Sequence, residues 1–76
     1  MPLYYLNICD AGRVTEDLEG YDLAGLDAAL EEAEGAAREI AANAIRSSRK
    51  VSEMSIEVVD EHGVKLATVR LQDIRF

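Results

Sequence analysis

Seventy-six residues carry fifteen acidic and eight basic side chains, a formal net charge of −7. A chain this short makes one domain, residues 1–76, near the lower limit at which a hydrophobic core holds without help such as dimerisation. The acidic balance opposes nucleic-acid binding, which depends on clustered Lys and Arg, no stretch approaches the roughly 20 apolar residues of a membrane span, and Cys9 alone excludes an intramolecular disulfide framework or a multi-cysteine metal site.

Met1-Pro2 leads straight into strand-like sequence instead of the charged and apolar regions of a secretory signal, so a cytoplasmic protein is expected. Residues 3–9 (Leu-Tyr-Tyr-Leu-Asn-Ile-Cys) form a β-rich run with Tyr4, Leu6 and Ile8 on one face and Leu3, Tyr5, Asn7 and Cys9 on the other. Both faces are largely apolar, which predicts a central strand or one whose second face meets a partner. Asp10-Ala11-Gly12 reads as a turn with glycine at positive φ, and residues 13–16 as a short return strand. Residues 17–22 break the alternation and read as a turn toward the helix.

A long amphipathic helix is predicted over residues 25–48. Leu26, Ala29, Leu30, Ala33, Ala36, Ala37, Ile40, Ala41, Ala44 and Ile45 recur at three and four. Asp27, Glu31, Glu34, Arg38, Asn43 and Arg46 occupy the other side, with Glu34 and Arg38 spaced for an ion pair worth about 0.3 kcal/mol. Either Gly25 or Asp27 can cap the start, and Ser47-Ser48 end the pattern without a glycine. The stripe is mostly alanine, so the helix supplies close approach and the strands must supply most of the apolar volume. At about 1.5 Å per residue the helix outruns a typical strand, so one end is expected to overhang the sheet. Gly35 costs about 1 kcal/mol relative to alanine, through either close packing or tolerance.

After a polar connector, Met54, Ile56 and Val58 alternate with Ser55, Glu57 and Val59. Asp60-Glu61-His62-Gly63 reads as a type I turn closed by a left-handed glycine. The return strand sets Ala67, Val69 and Leu71 opposite Leu66, Thr68 and Arg70, and Ile74 and Phe76 end the chain as candidates for docking. The fold class is therefore α+β, ββαββ, with one helix on one face of an antiparallel sheet of about four strands. One helix covers one face, so Leu3, Tyr5, Cys9, Val59 and Leu66 are expected on an uncovered interaction surface.

The opening Met-Pro-Leu-Tyr-Tyr-Leu-Asn-Ile-Cys-Asp-Ala-Gly, the Asp17-Leu18-Glu19-Gly20 turn, the Leu23-Ala-Gly-Leu26-Asp-Ala-Ala start of the helix and the Ile56-Glu-Val-Val-Asp-Glu-His-Gly63 hairpin resemble a family of small bacterial proteins. That family is common in rhizobia and related alphaproteobacteria and carries a domain-of-unknown-function label. The resemblance covers nearly the whole chain. It departs from the family pattern at Cys9, where a basic residue is common, at Gly25, where Asp is the usual cap, and at Arg70, where proline is common. It implies a cytosolic bacterial setting and one domain, and no catalytic residue. The element order also resembles small antitoxin domains with a degraded ribonuclease H fold, an analogy that carries no function.

No side-chain pattern specifies chemistry. His62 beside Asp60 and Glu61 sits on a turn too tight for three adjacent residues to converge on one ion. Ser47, Ser48, Ser52 and Ser55 occupy no glycine-flanked elbow. Cys9, at the end of an apolar strand, reads as a small packed group. Glu16, Asp17, Glu19 and Asp22 lack calcium-loop spacing, Glu31 and Glu34 fall on a solvated helix face, and the five glycines form no phosphate loop. Arg46, Arg49 and Lys50 complement a helix C-terminus, and Lys65, Arg70 and Arg75 a solvated strand. The expectation is a non-enzymatic module without metal, cofactor, nucleic acid, membrane or small-molecule ligand. It self-associates as a homodimer through the uncovered sheet face or a strand edge, or serves as an adaptor or antitoxin-like partner of a different, basic protein.

Overall fold

The computed structural model describes residues 2–74. The elements run β1 (Leu3–Asp10), β2 (Arg13–Thr15), β3 (Tyr21–Asp22), α1 (Leu26–Arg46), β4 (Met54–Asp60) and β5 (Lys65–Arg70), with single 3-10 turns at Val51–Glu53 and Leu71–Asp73. The sheet is antiparallel in the order β2-β1-β4-β5, and β3 pairs with β1 on the same side as β2. The expected α+β architecture is present, with β3 as a fifth, two-residue strand inside what the sequence reads as a turn. The Phe76 end lies outside the described residues, whereas Ile74 packs against the core.

Strand alternation and helical period meet in one core. Tyr4, Leu6, Met54, Ile56 and Val58 are buried beneath α1, joined by Leu71 from the last turn. Every buried residue of α1 is an alanine: Ala29, Ala33, Ala37, Ala41 and Ala44. With only a methyl group at each contact, α1 rests close on the strands, and the bulk between the layers comes from the sheet. The larger groups at the two ends, Leu26 and Ile45, are exposed. The Glu34–Arg38 ion pair favoured by spacing is absent among the described residues.

Gly25 is the N-cap, with extended backbone and no side-chain capping bond. The C-terminus closes as a complete Schellman motif without glycine. Ser48 N–H donates to the Ile45 carbonyl at 3.1 Å and Arg49 N–H to that of Ala44 at 2.7 Å, while Ser48 adopts φ 58°. Arg49 then reaches across to Asp10 in an ion pair that ties the helix end to the first hairpin. A second non-glycine in the left-handed region, Ala11 at φ 51°, precedes Gly12 at φ 86°, so both central residues of the β1–β2 turn carry positive φ. The β4–β5 turn matches its sequence reading: Gly63 N–H donates to the Asp60 carbonyl at 3.1 Å, with Gly63 at φ 82°.

A Ser48→Gly substitution removes the left-handed penalty and should raise stability by about 0.5–1 kcal/mol in urea unfolding. Leucine in place of the fully buried Ala37 should lower it by about 1–3 kcal/mol in the same measurement, because nothing under the helix can yield to the added carbons.

Candidate functional site

The surface that matters is built along β1. Its far side from β4 is paired at both ends and not in the middle: Ile8, Cys9 and Asp10 oppose Thr15, Val14 and Arg13, whereas Leu3 and Tyr4 oppose Asp22 and Tyr21. β2 and β3 are thus two halves of one edge strand, interrupted by a bulged segment at residues 16–20. Asp17 holds that bulge. Its Oδ2 accepts the Leu6 amide at 3.2 Å, filling a place a neighbouring strand would take, and its Oδ1 accepts the amides of Glu19 at 3.2 Å and Gly20 at 3.1 Å. The Asp17 amide in turn donates to Asn7 Oδ1 at 2.9 Å. Gly20 sits at φ 77° against the Tyr5 ring, where an added Cβ would stand 2.9 Å from a ring carbon.

On the face away from α1, Leu3, Tyr5, Cys9 and Val59 are half-buried and Leu66 is exposed. Cross-strand register places Tyr5 beside Val59 and Val59 beside Lys65, while the register shift between Val58 and Val59 skips Leu66. Leu3, Tyr5 and Cys9 alternate onto one face of β1 with Val59 beside Tyr5, and no helix packs on that face among the described residues; Leu66, at the bulge, has no residue opposite it in the register. Two further apolar groups border it. Val14, opposite Cys9, is 56% exposed, and Leu18, at the crest of the bulge, is 86% exposed. Leu18 escapes strand alternation because it lies in the bulge, where no register holds. A shallow groove of about 350 Å³ lies between Leu18 and the β4–β5 turn, lined also by Tyr5, Asn7 and Val59.

The polar candidates have structural employment. Asp60 Oδ1 accepts the amides of His62 and Val64, both at 2.9 Å, so this carboxylate shapes the turn. Lys65 pairs with Glu57 at 3.3 Å and Arg70 with Asp73 at 3.1 Å. Cys9 is a free thiol. Among the described residues none of the buried side chains is polar or charged, and no three His, Cys, Asp or Glu side chains gather as metal ligands. No described helix is long and apolar enough to cross a membrane.

A second concavity opens on the other side of the bulge, between β1 and α1. The helix lies across β4 and β5 more than across β1. That offset leaves a cleft of about 220 Å³ whose floor is Leu6, Ile8 and Ile56 and whose walls include Tyr21 and Ala36.

A family model described as a domain of unknown function, DUF6894, matches residues 3–72. No curated protein and no solved structure matches the chain.

Removing the carboxylate with Asp17→Ala leaves the Leu6, Glu19 and Gly20 amides without their acceptor. The expected loss is about 1–3 kcal/mol in urea unfolding, accompanied by faster hydrogen exchange at the Leu6 amide than at its strand neighbours.

Proposed function

The chain belongs to the DUF6894 family, and we propose that it is a non-enzymatic protein-interaction module, cytoplasmic, that self-associates as a homodimer through the uncovered sheet face. The observation that supports this reading is the cross-strand pair Tyr5 and Val59, on the strand face that also carries Leu3 and Cys9, with no helix packed on that face among the described residues; Lys65, opposite Val59 and paired with Glu57, borders it. Half-exposed aromatic and aliphatic groups in one cluster are the composition of a docking surface.

The state of both sheet edges favours the face over edge pairing. β5 presents Lys65 and a bulge at its start, two devices that discourage a further strand. The opposite edge is broken at residues 16–20 and carries Glu16, Asp17 and Glu19, so two copies brought together there would repel. Four strands about 4.8 Å apart and six residues long present roughly 400 Å² of face, so a pair would bury roughly 800 Å². That is below the standard interface and sets the expectation of a weak, concentration-dependent dimer.

Light scattering on the eluting protein should show average mass rising toward twice 8.3 kDa with concentration. Val59→Lys places a charge in the middle of the patch and should weaken the dimer at least tenfold, about 1.4 kcal/mol, with helical circular dichroism unchanged. A strict monomer at millimolar wild-type protein would sink the reading.

A further inference from the structure

The cleft between β1 and α1 does not end at Ala36. It runs into a second depression of about 460 Å³ along the flank of α1, which shares Tyr21 and Ala36 with it and is bounded by Glu31, Glu32, Gly35 and Glu39. The result is one groove with two chemistries. At its deep end Leu6 and the half-buried Ile8 form an apolar floor, with the fully buried Ile56 beneath them; the cleft is open to solvent, and its volume of about 220 Å³ exceeds the roughly 150 Å³ that holds a six-carbon ring, room for one leucine-sized side chain. At its shallow end the rim is acidic: Glu31, Glu32 and Glu39 are exposed, and none of them has an ion-pair partner among the described residues. Glu16 stands on the facing rim, and among the described residues no Lys or Arg lines either part.

Gly35 lines the shallow part, next to Ala36, which the two parts share. A glycine in mid-helix is unfavourable, and the space a Cβ would enter is empty to 4 Å. Packing within the chain therefore gives no reason for it, while a side chain at that position would project into the groove. Tyr21, 40% exposed, offers an aromatic wall on which a cation can rest.

We propose that this groove docks a lysine- or arginine-rich segment of another protein that carries one large apolar side chain. The apolar side chain fills the cleft over Leu6, Ile8 and Ile56, and the flanking cations meet the glutamates of α1 and the face of Tyr21. The charge of the groove selects this occupant over a second copy, since the chain is acidic overall and like-charged rims repel. The site lies on the helix side of the sheet and is independent of self-association through the opposite face.

The test is an NMR titration of the full-length, ¹⁵N-labelled protein with the peptide KKKLKKK, and with KKKAKKK and EEELEEE as controls. Saturable amide shifts confined to residues 6–8, 15–21, 31–39 and 56, at least tenfold weaker affinity for KKKAKKK, and no response to EEELEEE support the proposal. Gly35→Leu should abolish the shifts while raising the thermal midpoint, opposite signs that separate a blocked groove from a damaged fold. Glu32→Lys with Glu39→Lys should weaken binding tenfold or more. Equal binding of KKKLKKK and KKKAKKK, shifts on the open sheet face instead, unchanged binding by Gly35→Leu, or concentration-dependent shifts of the groove residues without peptide would each overturn it.

Discussion

The row of alanines under α1 sets the separation of helix and sheet, and most of the molecule follows from it. Ala29, Ala33, Ala37 and Ala41 recur every four residues and are essentially without exposure, so the helix approaches the strands as closely as side chains allow. Close approach maximises dispersion contact per residue, at the expense of apolar volume. The strands compensate with Ile56, Val58, Met54, Leu6 and Tyr4. A narrow helix face also has narrow coverage. Seated over β4 and β5, it leaves the β1 side of its own face incompletely roofed, and the cleft over Leu6, Ile8 and Ile56 is the consequence.

Edges and faces of the sheet are treated differently. One edge has a bulge and a lysine, and the other is cut into two short strands by a loop whose carboxylate occupies the place of a neighbour's carbonyl. The open face carries one such charge, Lys65 opposite Val59 in an ion pair with Glu57. Its polar members, Asn7, Ser55, Glu57 and Thr68, interleave with the apolar ones along the strands, as expected of a sheet with one solvated side. What distinguishes it is that Tyr5 and Val59 adjoin across β1 and β4.

Elements with strong period were legible from residues alone. The helix, both hairpins, the turn at Gly63 and the faces of Tyr5 and Val59 all follow from local rules. The features that escaped are those in which a side chain substitutes for backbone. Asp17 reads as one member of an acidic run, because its bonds to Leu6 and Gly20 depend on a strand pairing that composition does not encode. Ser48 reads as polar connector, although it occupies the position where glycine is usual. The shared face of Leu3, Tyr5 and Cys9 follows from alternation, which is local, whereas the bulge at Leu66 and the groove beside α1 do not, because they arise from strand pairing and from where the helix sits across the sheet. Of the motifs behind the family resemblance, Asp17-Leu18-Glu19-Gly20 now has a reason for Asp17 and Gly20 in the fold, and none there for Leu18.

The bulged edge also carries a surplus of chain. Between the pairs Ile8–Thr15 and Tyr4–Tyr21, four steps along β1 face six along its neighbour, a surplus of two residues. The surplus is taken up where Asp17 accepts the Leu6, Glu19 and Gly20 amides and Gly20 turns at φ 77°, so strand alternation does not run through the loop. The register on each side is set by that side's own pairing, and a change of length within residues 16–20 bears first on the Asp17 bonds and the Gly20 turn.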